Sequence, residues 1–165
     1  MTTPDIIATI ANLSLALSFV VAIIFGISES RFAARRRIEL LTLENLRTFQ
    51  SREFAELLIF VINRKLLTSY DEWKDFPEHD KILLLQFSQM MESLGILVAE
   101  KYINLDLVEK TIGSVVTDTW EKLKPWILDS RKKLPDPYLN EYYQWLAQKL
   151  SEQMKEKKRK PFYLN

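Results

Sequence analysis

The chain has no cysteine, a single histidine and only three glycines in 165 residues. Each shortage excludes something. Without cysteine there is no disulfide framework and no thiolate metal site. The same absence fits a reducing compartment. One histidine, His79, excludes histidine-rich metal centres. Glycine occurs only at 26, 95 and 113, too sparsely for a Gly-rich phosphate loop. Charge of one sign is also missing: 23 basic and 22 acidic residues leave a net of +1. That balance lacks the basic footprint of a nucleic-acid-binding domain. No alternating apolar–polar run persists, so no sheet is expected. No catalytic, cofactor-binding or metal-binding motif emerges.

What the chain does have is one long apolar run. Residues 6–27 carry no charge, and at helical rise they cover about 33 Å, enough for a bilayer core of about 30 Å. Arg31, Arg35, Arg36 and Arg37 follow at once, and all 23 basic residues lie after residue 30. Basic residues near the end of a span stay on the cytoplasmic side. The pattern therefore predicts a single-pass protein of the inner (plasma) membrane, amino terminus out and residues 31–165 in the cytoplasm. Two alternatives stay open. A cleaved signal peptide has its basic segment first and a shorter apolar run, the reverse of this order, although Gly26 and Ser28 are small enough to mimic a cleavage site. A buried helix of a soluble bundle seldom has an apolar run of this length.

Within the run, Ser14, Ser18, Ala22 and Gly26 recur every fourth residue. On a helix they form a stripe of small side chains that lets a second helix approach closely, with Asn12 placed to hydrogen-bond across the contact. Self-association through the span is the sharper reading, and a passive anchor with chance spacing the plainer one.

The remainder reads as helices. Ser28–Gln50 is expected to continue the span, with Ile38, Leu40, Leu41, Leu43, Leu46 and Phe49 leaving a face to bury. Ser51 is placed as an N-cap before a stripe of Phe54, Leu57, Leu58, Val61, Ile62, Lys65 and Leu66. A polar segment from Tyr70 to Asp80 carries Trp73 and Phe76. Pro77 then opens a helix over about 78–101, the most apolar after the span and expected to be central, with Ile82, Leu83, Leu85, Phe87, Met90, Leu94, Leu97 and Val98. Lys81, Gln86, Gln89, Glu92 and Glu100 argue against a second span there. Asn104 caps a helix bearing Leu107, Val108, Ile112, Val115, Val116, Trp120 and Leu123. Pro125 is expected to kink that helix or to start a new one through Arg131. Leu134–Pro137 breaks the chain, with Asp136 as cap and Pro137 just inside a last helix carrying Leu139, Tyr142, Tyr143, Leu146, Leu150 and Met154.

Few groupings suggest chemistry. Glu78-His79-Asp80 resembles a metal site, but consecutive helical residues point apart, and an acidic first turn suits the helix dipole. Glu92 lies in the most apolar soluble helix and needs a partner, for which Arg131 is a candidate, as a buried ion pair or as a site. Trp120, Trp126, Tyr142, Tyr143 and Trp145 cluster late in the chain, as core or as a pocket wall. The tail carries Lys155, Lys157, Lys158, Arg159 and Lys160, as a solvated end or as a contact with anionic lipid.

The span with its arginine flank, SREFAE, FSQMMESLGILVAEKYINLDLVE, TWEKLKPWILDSRKK and DPYLNEYYQWLAQKL follow one another in that order. Over residues 6–150 this series resembles an uncharacterised bacterial family of small proteins with one N-terminal span and a helical cytoplasmic domain, classed as a domain of unknown function. The resemblance implies a fold and a topology and no reaction.

The expected architecture is all-α: extracytoplasmic residues 1–5, a transmembrane helix over 6–28, a connecting helix over 29–50, a cytoplasmic bundle of four to five helices over 51–150, and a basic tail over 151–165. The leading function is a membrane-anchored interaction or scaffold module. Its partners are the lipid bilayer, its own copies through the span, and a protein not identified by sequence; no nucleic acid and no cofactor are expected. The alternative is an enzyme or small-molecule sensor at the membrane face, with a pocket among the late aromatics and Glu92 and Arg131.

Overall fold

A computed structural model describes the backbone of residues 3–65, 67–157 and 163, and the side chains of these except 5–11 and 157. Among the described residues the structure is all-α, with six helices and no strand. They are α1 (Thr3–Thr48), α2 (Arg52–Asn63), α3 (Tyr70–Lys74), α4 (Glu78–Ala99), α5 (Leu105–Lys133) and α6 (Glu141–Lys157). The chain divides into two compact units, Met1–Glu39 and Leu40–Asn165.

The described residues of the first unit are helix alone. Among the described residues two helices are long and apolar enough to cross a membrane. One is α1, whose most apolar window of 18 residues within Asn12–Thr48 has a mean hydropathy of 2.0 and no buried residue; the other is α4 at 1.6, partly buried in the second unit. Leu13, Leu15, Leu17, Phe19 and Phe25 all stand exposed on α1. Nothing in the sequence between Thr3 and Thr48 interrupts helix: there is one proline, Pro4, in the first turn, and one glycine. The segments expected as span and connecting helix therefore belong to a single helix.

The second unit buries a continuous core. Leu46, Phe54, Leu57, Val61, Leu84, Phe87, Met91, Leu94, Val116, Trp120, Leu123, Leu146 and Leu150 are among its members. The unit starts at Leu40 rather than at residue 51, because the last turns of α1 join it through Thr42 and Leu46, with Phe49 following in the turn to α2. Ser51 caps α2, accepting a hydrogen bond from the N–H of Phe54, and Asn104 caps α5, accepting from Asp106 and Leu107. α4 is central, packed against both α2 and α6. Its core side is Leu84, Phe87, Met91, Leu94 and Val98, spaced three or four apart.

Several expectations need correction. Leu40, Leu43, Ile62, Ile82 and Leu85 are exposed, because each apolar stripe is wider than the face its helix buries. Leu66 lies outside the described residues. The polar segment holds a helix, α3, whose Trp73 stacks on Trp126 at 5.0 Å. α5 continues through Pro125 without restarting; Leu123, Trp126 and Ile127 are buried on either side of the proline and hold the turn that lacks its N–H. α6 begins at Glu141, not at Pro137. Asp136 instead makes a tight turn by accepting from the N–H of Tyr138, and Asn140 enters the helix with a left-handed φ of 56°.

Candidate functional site

The start of α6 is held by side chains from two other helices. An N-terminal helical turn has backbone N–H groups with no partner inside the helix. Here the acceptor comes from another helix. The Glu92 carboxylate of α4 accepts from the N–H of Tyr142 at 3.2 Å and of Tyr143 at 2.7 Å. One turn further along α4 is Gly95. A Cβ placed there would lie 2.4 Å from the carbonyl oxygen of Tyr142 and 2.9 Å from its Cβ. Only glycine admits a backbone this close. Glu92 and Gly95, three residues apart on α4, form one seat for α6.

Arg131 holds the same place from α5. Its guanidinium donates to the carbonyls of Leu139 at 2.8 Å and Asn140 at 3.2 Å, and to Oε1 of Gln144 at 2.6 Å. Glu92 and Arg131 thus converge on one connection, but they make no direct ion pair: the carboxylate takes N–H groups and the guanidinium takes carbonyls. Half-burial raises the Glu92 carboxyl above its ordinary value; the two backbone N–H groups and the charge of Arg131 oppose that rise, and Glu141 adds to it. Below the seat, Tyr143 is fully buried, its hydroxyl 2.7 Å from Oγ1 of Thr119 and its ring edge-on to Trp120 at 5.2 Å. Burial moves its phenol well above the usual range.

The late aromatics therefore do not share one pocket. Trp120 and Tyr143 pack together, whereas Trp126 stacks on Trp73. Trp120 also borders a shallow depression of about 240 Å³ between α5 and α6, with Thr117, Glu121, Gln148 and Ser151. A groove of similar volume separates the end of α1 from α4, lined by Asn45, Phe49, Gln86, Gln89 and Met90 among others.

Asp80, from the acidic tripeptide, is buried against Arg64, whose guanidinium also lies 5.6 Å from the ring centres of Phe60 and Phe76. It ties the end of α2 to the first turn of α4. Glu78 and His79 are exposed. Among the described residues no three His, Asp or Glu side chains gather around a point where a metal ion could sit.

In the first unit, Ser14, Ser18, Ala22 and Gly26 are exposed, and a Cβ on Gly26 would meet nothing within 4 Å. The Ser18 hydroxyl donates to the carbonyl of Ser14 at 2.8 Å, so it needs no water. Arg31, Arg35, Arg36 and Arg37 are exposed. Lys155 is exposed near the end of α6; the side chain of Lys157, and all of Lys158, Arg159 and Lys160, lie outside the described residues.

Sequence reasoning named Glu92 and Arg131 but missed Gly95 and the backbone groups that all three serve. The available signal was a glycine inside a long helix, which costs about 1 kcal/mol against alanine and asks for a packing reason.

The sequence pattern of one family matches residues 8–150, from the apolar helix through most of α6. No curated protein and no solved structure matches the chain. The family is described as a domain of unknown function, DUF4760, and the chain belongs to it.

Proposed function

We propose that this DUF4760 chain is a membrane-anchored interaction module. In this reading α1 crosses the bilayer once, with its amino terminus outside, and the unit from Leu40 onward works on the cytoplasmic face. The carrying observation is the contrast in exposure: apolar side chains from Leu13 to Ile27 are uncovered on α1, while the second unit has its own filled core. Water does not tolerate so long an uncovered apolar helix, and a bilayer requires one. The four arginines support the orientation by the positive-inside tendency.

The reading favours interaction over catalysis because of where Glu92 and Arg131 are spent. Both bind backbone at the start of α6, which makes them parts of a scaffold. The small-residue stripe is assigned as the face through which copies of the span meet. A reporter fused after Asn165 tests the topology: activity of a cytoplasmic reporter supports it, and activity of a reporter that works only outside the membrane rejects it. Self-association is tested in a membrane assay of the span, where Gly26→Ile should lower the signal and bulk at Leu17, off the stripe, should not. Equal signals would leave the span a passive anchor.

A further inference from the structure

α1 has two unlike sides where it leaves the apolar run. The uncharged residues end at Ile27, and the helix continues to Thr48 without a break. Around Ile27, one cleft of about 370 Å³ is lined by Ile24, Ile27, Ser28, Arg31, Phe32 and Arg35. Residues spaced three and four apart share one face of a helix, and these six do. Ser28 opens the cleft, because a small side chain stands there between Ile24 one turn before it and Arg31 and Phe32 one turn after. Arg31 and Arg35 are about 6 Å apart along the axis. All six side chains are exposed, and neither guanidinium makes an ion pair among the described residues.

The other side carries different chemistry. Ala22 and Gly26, on either side of Ile24 in sequence, lie about 160° around the helix from it. They border a second hollow that ends at Glu29. Arg36 and Arg37 point about 100° and 160° away from Arg35. One side thus joins an apolar floor to two cations, and the other joins small residues to an acid. The stripe assigned to self-association and the arginine cleft do not compete for space.

We infer that the cleft is a binding site for one anionic phospholipid. The site rests on the anchor reading of α1. The lipid phosphate is held between the guanidiniums of Arg31 and Arg35, whose planar forks suit phosphate oxygens. Arg31 stands about 6 Å beyond Ile27 along the axis. That height falls within the polar layer of a bilayer, about 5–8 Å thick on each side of the hydrocarbon core. Ile24 and Ile27 then take the start of an acyl chain, and Phe32 lies between the two cations in height. Two guanidiniums repel the ammonium of a zwitterionic headgroup, so a headgroup with net negative charge is preferred.

The test uses the full chain in phosphatidylcholine vesicles that carry a trace of spin-labelled phosphatidylglycerol or of spin-labelled phosphatidylcholine. The motionally restricted fraction of each label gives its relative affinity for the protein. A preference of about fivefold for phosphatidylglycerol is expected, the gain that one charge contributes beside an oppositely charged surface. Arg31→Gln with Arg35→Gln should remove it. Arg36→Gln with Arg37→Gln takes away the same charge and should keep most of it. Ser28→Leu fills the cleft without changing charge and should lower the preference. No preference in the unaltered chain, equal values in the two arginine pairs, a Ser28→Leu chain equal to the unaltered one, or displacement of the lipid by millimolar inorganic phosphate overturns the site and leaves the anchor intact. A chain that fails to float with the vesicles overturns the anchor, and the site with it.

Discussion

Gly26 and Gly95 are both helical glycines in apolar surroundings, yet they do opposite things. A methyl group on Gly26 meets nothing, whereas on Gly95 it strikes the backbone of Tyr142. The same holds for larger residues: Phe25 is 72% exposed and Phe87 is 0% exposed. Residue type is shared between the two units, and what differs is the cover. In the second unit the cover is the protein itself. In the proposed reading the bilayer supplies it in the first.

Substitutions sharpen this comparison by pairing one site from each unit. Phe87→Ala is expected to destabilise the second unit by about 3–5 kcal/mol, because it opens a cavity in a filled core. Phe25→Ala should leave its stability within about 0.5 kcal/mol. Chemical denaturation of both variants checks the pair, and similar losses would break the comparison. Gly95→Ala comes next, at about 2–3 kcal/mol: overpacking against backbone outweighs the gain of up to about 1 kcal/mol in helix propensity. Gly26→Ala should leave the second unit unchanged. A neutral or stabilising Gly95→Ala would mean that α6 does not sit on α4 at this point.

Glu92→Ala should cost about 1–2 kcal/mol, since two backbone donors lose a charged acceptor at a half-exposed site. Arg131→Ala should cost a similar amount by freeing two carbonyls, and the double variant should cost less than the sum, because both act on one connection. Strict additivity in a double-mutant cycle would separate them. The smallest effect is on pH. With the carboxyl of Glu92 raised in the folded state, its contribution is fully present below its ordinary value of 4.5 and is lost as pH rises through the raised value. Glu92→Gln should flatten that part of the stability–pH profile and leave the rest unchanged.

How much of this was legible in the sequence depended on range. Local signals read well. The uncharged run, the Ser51 and Asn104 caps and the three-to-four spacing of Phe54, Leu57 and Val61 all act within a turn or two of helix. The start of α6 was misplaced because its cap is not local. Asp136-Pro137 looks like a helix start, but the acceptor used is Glu92, 50 residues earlier for Tyr142 and 51 for Tyr143. Pairing Glu92 with Arg131 located the right place and missed the relation, since charge alone does not reveal that each would bind backbone. The restart expected as one alternative at Pro125 does not occur: α5 runs on to Lys133, and the local cost of the proline is offset by packing on the neighbouring turns.

The contrast between an externally covered helix and a self-covered unit is tested most directly by alkaline extraction of membranes containing the full chain. The chain should stay in the membrane pellet, and it should be released when Val21 and Phe25 are both replaced by arginine, a change that leaves the core of the second unit untouched. Release of the unaltered chain would contradict it, because α1 would then be covered by protein and not by lipid.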